Sequence, residues 1–233
     1  MEAIKRYAVY YAPPAGEFAT RANAWLGWDA LAGQSIPQPH RASLPAEHIT
    51  QGAAKYGFHG TVKPPFRLAD GCSEGDLIRA MEGLSAALAP VTMPGLQLAD
   101  LHGFLAFVPE GNAAALNGLA ARVVEDLDLF RAPLTAAEVA RRRPESLTAT
   151  QRELLHRWGY PYVMQEFRFH LTLTDRLPAS LVGAAVAALS EHFAAVLPRP
   201  FTIADLCLFG EASDGRFHLL RRFALRGAGV PVS

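Results

Sequence analysis

Two short stretches with the same alternating pattern, 111 positions apart, constrain this chain more than any other feature. The first reads Tyr56-Gly57-Phe58-His59-Gly60-Thr61-Val62-Lys63, and the second Phe167-Arg168-Phe169-His170-Leu171-Thr172-Leu173-Thr174. A β-strand sends successive side chains to opposite faces. In the first stretch Phe58 and Val62 therefore share one face, and His59, Thr61 and Lys63 the other. In the second, Phe167, Phe169, Leu171 and Leu173 oppose Arg168, His170, Thr172 and Thr174. Each copy predicts a strand with an apolar face for a core and a second face that carries His-x-Thr.

The segments around the copies repeat in order too. Each motif strand is followed by a proline-containing loop, an amphipathic helix and two strands, which reads as an internal duplication. After the first, Pro64-Pro65 is expected to end regular pairing, since proline donates nothing to a ladder. Ser73, with Glu74 and Asp76 behind it, predicts a capped helix over 73–88 with Leu77, Met81, Leu84 and Leu88 inward. Strands are expected at 95–101 and 104–109, then a helix over 112–127. After the second copy come a helix over 179–197, with Leu181, Val186, Leu189, Phe193 and Val196 inward, and strands at 201–209 and 216–225. An opening strand at 5–12 completes the set.

Between the halves, 131–160 reads as a helical insertion. Thr135 and Glu138 form one capping signal, and Trp158-Gly159 is a stop. The expected fold class is α+β. One bilobal domain over 1–233 has pseudo-symmetric, motif-bearing lobes at about 52–129 and 162–226, each an antiparallel sheet backed by helices. The His/Thr faces meet in a central cleft between the sheets.

Two histidines facing one cleft suit a particular chemistry. Imidazole titrates near neutrality, so one can take a proton while the other gives one. Thr61 and Thr172, two residues beyond each His, can donate hydrogen bonds to phosphate oxygens where charge builds up. His59 and His170 are the candidate acid/base pair, and the rate is expected to be bell-shaped, centred at about pH 6 to 8. Lys63 and Arg168 fall on the same faces. Each is either a substrate-binding charge or a solvated strand-edge charge. Of the tyrosines at 7, 10 and 11, mainly core residues, one could stack at the cleft, and Tyr7 is taken as the candidate. Arg141-Arg142-Arg143 reads either as a solvated helix end or as a flap that carries positive charge to an anionic substrate. No Cys pair, His-x-His or carboxylate shares either motif face, so no metal and no cofactor is expected.

Lys plus Arg and Asp plus Glu balance at 22 each, so no overall charge draws the chain to nucleic acid or membrane. Any anion site must be local. Cys72 and Cys207 stand far apart, as thiols do in a reducing compartment. The first residues hold no apolar leader core, and no run approaches a membrane span of about 20 residues. A cytoplasmic location is expected, with a small phosphorylated substrate as partner, RNA less favoured, and neither membrane nor obligate protein partner.

At these residues, and at Arg6-Tyr7-Ala8-Val9-Tyr10-Tyr11-Ala12-Pro13, the sequence resembles the two-histidine phosphoesterase superfamily, whose mark is paired His-x-Thr or His-x-Ser motifs on duplicated lobes. It looks most like a bacterial branch encoded with carbon–phosphorus lyase operons and tied to phosphonate metabolism. The resemblance implies that His59 and His170 are the acid/base pair and Thr61 and Thr172 the phosphate binders. It implies metal-independent opening of a cyclic phosphate, with a ribosyl 1,2-cyclic phosphate as the attractive substrate. Two other readings stay open. One is a module that binds a nucleotide or phosphometabolite without hydrolysis, and the other an enzyme acting on RNA 2′,3′-cyclic phosphate ends.

Overall fold

The computed structural model describes residues 4–39 and 44–228. The first three residues, part of the stretch read for a leader, lie outside it. The chain opens with β1 (Arg6–Tyr11), α1 (Glu17–Leu26) and a short ribbon of β2 (Trp28–Asp29) and β3 (Gln34–Ser35). Two single-turn helices, α2 (Ala46–Ile49) and α3 (Gln51–Ala54), lead into the first motif strand β4 (Gly60–Phe66). Then come α4 (Glu74–Ala87), β5 (Val91–Met93), β6 (Leu96–Asp100), β7 (Leu105–Pro109) and α5 (Ala114–Asp126). The insertion holds α6 (Ala136–Ala140) and α7 (Ala149–Trp158). The second motif gives β8 (Leu171–Thr172), followed by α8 (Ala179–Phe193), β9 (Phe201–Ile203), β10 (Asp205–Glu211) and β11 (Phe217–Ala224).

The helix ends obey the signals in the sequence. Ser73 and Asp76 form a reciprocal capping box on α4, Thr135 and Glu138 one on α6, and Thr148 and Gln151 one on α7. Gly159 takes the left-handed conformation that stops α7. Leu77, Met81 and Leu84 are buried along α4 as their spacing predicts. On α8 the inward face is instead built on Ala185, Ala188, Leu189 and Phe193, and Val186 is exposed. Small alanines let that helix sit close to its neighbours.

The fold is α+β, an antiparallel sheet backed by helices. Seven strands form one continuous sheet in the order β11-β10-β1-β4-β8-β7-β6. The sheets expected for separate lobes are thus joined, with the two motif strands side by side at the centre. Their hairpins are exchanged across that junction. β6–β7, which follows the first motif in sequence, pairs with the second motif strand. β10–β11, which follows the second, lies beyond β1 on the side of the first.

One face of the sheet carries the main core, in which Phe58, Val62, Phe167, Phe169, Leu171 and Leu173 pack with the buried sides of α1, α4, α5 and α8. The other carries a smaller cluster around Tyr10, Trp28, Phe209 and Phe217. β1 serves both faces by strict alternation, with Tyr7, Val9 and Tyr11 in the main core and Ala8, Tyr10 and Ala12 on the opposite side. β4 does not alternate strictly. Its register against β1 shifts twice, from Tyr10 opposite Thr61 to Val9 opposite Lys63 to Tyr7 opposite Phe66. Extra residues of this kind bend a strand and re-aim side chains. They also let β4 run through Pro64 and Pro65, where the sequence predicts its end.

Candidate active site

The central junction fixes the geometry of the two motifs. β4 and β8 run antiparallel with Gly60 opposite Leu171. Counted one residue to either side, that register brings His59 level with Thr172 and Thr61 level with His170 along the paired motifs. Directly opposed residues on one face have Cβ atoms roughly 4.5–5.5 Å apart. The difference between the copies, Gly in one and Leu in the other, follows from this pairing. A Cβ on Gly60 would stand 2.2 Å from the Phe169 ring. Only glycine lets the second motif's Phe169 pack there.

The two imidazoles are held alike. His59 Nδ1 lies 2.9 Å from the Gly57 carbonyl oxygen, and His170 Nδ1 lies 2.8 Å from that of Arg168. A carbonyl only accepts, so both Nδ1 atoms carry hydrogen, and each neutral ring keeps its lone pair on Nε2. His59 Nε2 is 3.2 Å from the Thr61 hydroxyl. Tyr10 stacks on the His59 ring at 4.0 Å between centroids, and Phe104 lies 5.7 Å from that of His170. Burial pushes the His59 imidazole down to about 4; the Gly57 carbonyl opposes the shift and the His170 charge adds to it. His59 is therefore neutral at pH 7.

His59, Thr61 and Thr172 line an open cleft of about 360 Å³ together with Tyr10, Tyr56 and Asp175, and His170 is not among its lining residues. Asp175 accepts from the amides of Gly52 at 2.8 Å and Ala53 at 3.1 Å, tying the end of the second motif to the turn that leads into the first.

The other three residues singled out in the sequence lie elsewhere. Lys63 is buried on the side of α5, donating to the Val124 carbonyl at 3.0 Å and standing 3.5 Å from the Asp128 carboxylate. The register shift between Thr61 and Lys63 takes it off the His/Thr face. Arg168 is exposed and folds back on the carbonyls of Gln165 and Phe167. Tyr7 belongs to the main core and donates to Glu74 at 2.7 Å. Alternation along β1 gives the cleft Tyr10 instead.

The positive charge in the cleft comes from Arg6 and Arg142. Arg6 is paired with Glu211. Arg142 separates the two readings of the arginine triplet residue by residue, since Arg141 and Arg143 are exposed while Arg142 turns into the cleft beside Tyr160. The triplet was its only signal in the sequence; Arg6 and Tyr56 stand in the quoted stretches but were not singled out there, and Tyr160 gave no signal. Among the described residues no group of three His, Cys, Asp or Glu side chains is placed to hold a metal ion. Nor is any helix among them long and apolar enough to cross a membrane.

The family described as "Protein of unknown function (DUF1045)" matches residues 61–218. Two curated relatives, from Janthinobacterium sp. (strain Marseille) and Laribacter hongkongensis (strain HLHK9), are both named ribose 1,5-bisphosphate phosphokinase PhnN. They are 36% and 35% identical over 100% and 96% of this chain, and over 53% of their own length. The chain thus spans about half the length of the curated relatives it matches. Among solved structures, Escherichia coli LigT complexed with 3′-AMP aligns over 96% of this chain and 99% of its own, at 12% identity and TM-score 0.42. TT0787 of Thermus thermophilus aligns over 96% and 100%, at 15% and 0.43.

Proposed function

The chain belongs to the DUF1045 family, and on that premise we propose that it is a metal-independent phosphodiesterase that opens a cyclic phosphate by paired-histidine acid/base catalysis. The observation that carries this reading is the mirrored pair itself. Two imidazoles, each one residue ahead of its motif strand, are pinned through Nδ1 by the carbonyl two residues upstream, and the two strands that follow them pair antiparallel at Gly60 and Leu171.

His59, held neutral with its lone pair on Nε2, is the base. It takes a proton from water as the water oxygen attacks phosphorus. The bond from phosphorus to one ring oxygen breaks, and His170, entering the step as the imidazolium with hydrogen on both nitrogens, gives that oxygen its Nε2 proton. The product is a phosphomonoester beside a free hydroxyl, and both histidines then exchange protons with solvent. Thr61 and Thr172 donate to the non-bridging oxygens as charge accumulates there.

The curated relatives are named for a ribose bisphosphate, so a phosphorylated ribose is the substrate class to test first. This chain has no glycine-rich loop to cradle a nucleotide's phosphates, and no kinase activity is carried over to it. The test is phosphorus NMR of EDTA-treated protein with ribose 1,2-cyclic phosphate, a nucleoside 2′,3′-cyclic phosphate and a 2′,5′-linked oligonucleotide. Opening of a cyclic phosphate, lost in both His59→Ala and His170→Ala, is the expected result. Absence of turnover with every substrate, also after metal is restored, overturns the reading and leaves a binding module.

A further inference from the structure

The two arginines of the cleft are not equivalent. Arg6 is neutralised by Glu211, which also has Lys55 at 3.7 Å. In the insertion and its entry, Arg131 is paired with Asp128 and Arg152 donates to the Leu147 carbonyl. Arg142 has no such partner. Among the described residues no carboxylate pairs with its guanidinium and no hydrogen bond leaves it. It is half-buried at the cleft wall with Cζ 4.7 Å from the centre of the Tyr160 ring. Among the described residues that line the cleft the one carboxylate, Asp175, is committed to the amides of Gly52 and Ala53.

A guanidinium withdrawn from water without a counter-charge is costly, and a ring beneath it offsets only part of that cost. The ring also holds the planar fork in one orientation, which suits bidentate contact with a phosphate or carboxylate. Arg142 comes from the insertion and not from either motif strand, and among the described residues no hydrogen bond ties its guanidinium to the His/Thr groups that share the cleft. The cleft is also large enough for a ligand that extends well beyond one phosphate.

We propose that the cleft takes a phosphodiester carrying a second anionic group, and that Arg142 is the residue that selects it. The inference rests on the phosphodiesterase reading for the place of the scissile phosphate, and its test is separable from that reading. Two matched pairs serve as probes: ribose 1,2-cyclic phosphate with and without a 5-phosphate, and adenosine 2′,3′-cyclic phosphate with and without a 5′-phosphate. Affinities are measured by calorimetry in His59→Asn, and kcat/KM in the wild-type protein. In at least one pair the added phosphate should tighten binding by about tenfold to a hundredfold. Arg142→Met should erase that gain and Arg142→Lys keep part of it. No gain in either pair, or a gain that survives Arg142→Met, overturns the inference. A gain lost in Arg142→Met, without opening of any probe by the wild-type protein, upholds the inference and refutes the catalytic reading.

Discussion

The neutral state of His59 can be measured without knowing the substrate. Burial under Tyr10 takes its imidazole from the ordinary 6.5 down to about 4. As pH falls, the unfolded chain binds the proton first, so the folded state loses stability between those two values and levels off below the lower one. At about 1.36 kcal/mol per pH unit the loss is about 3 kcal/mol, an upper figure because the ring is half-buried and not sealed. The perturbation is His59→Asn, which removes the titrating group. Urea unfolding of both proteins at pH 7.5 and pH 4 gives the difference between them and cancels the carboxylates they share. The wild type should lose about 2 to 3 kcal/mol more than the variant. Nitrogen-detected NMR of the imidazoles should show Nδ1–H for both His59 and His170 at neutral pH. A stability difference that does not change with pH, or an Nε2–H tautomer at His59, refutes the reasoning. The same shift bears on rate, because the acidic limb of kcat/KM reports the free enzyme. It should fall near pH 4 if His59 is the base, below the symmetric profile about pH 6 to 8 that ordinary imidazoles predict. The limb of kcat should lie higher, since a bound phosphate anion favours the imidazolium.

Two further predictions test the packing that positions the site. Gly60→Ala places a Cβ 2.2 Å from the Phe169 ring and should destabilise the protein by about 1 to 3 kcal/mol in urea. Adding Phe169→Leu should recover part of that loss, and strict additivity of the two changes would contradict the contact. Lys63 is the second case. Burial, opposed in part by Asp128, lowers its amine to about 8. Its folded value is thus below the unfolded one, and the protein should gain stability as pH rises from about 8 towards 10.5. Lys63→Met should abolish that gain while substrate opening stays within about twofold. A tenfold loss of kcat/KM at unchanged stability would return Lys63 to the site.

Strand alternation alone made much of this site legible. Phe58, Val62, Phe167, Phe169, Leu171 and Leu173 fall in the core on the side their spacing predicts, and His59, Thr61 and Thr172 border the cleft. Capping residues marked where α4 and α6 begin, because those signals act within four residues of chain. Alternation failed where the backbone leaves its regular register. The extra residue beyond Thr61 sends Lys63 into the core, and that shift depends on how β1 lies against β4, a pairing of residues more than fifty positions apart. The choice of Tyr10 over Tyr7 follows the same pairing.

Which charges enter the cleft was a tertiary matter. Arg6 is the first residue of β1 and Arg142 lies just beyond the end of a short helix, and only the packing of the insertion brings the second beside Tyr160. The exchange of hairpins across the centre is of the same kind. Local pattern settles which residues form a strand and which face is apolar, through forces that act between near neighbours. The order of strands in the sheet, and the low proton affinity of His59, arise from contacts between distant segments. By itself, therefore, the sequence determined the paired His-x-Thr strands, while the tertiary structure decided what surrounds them.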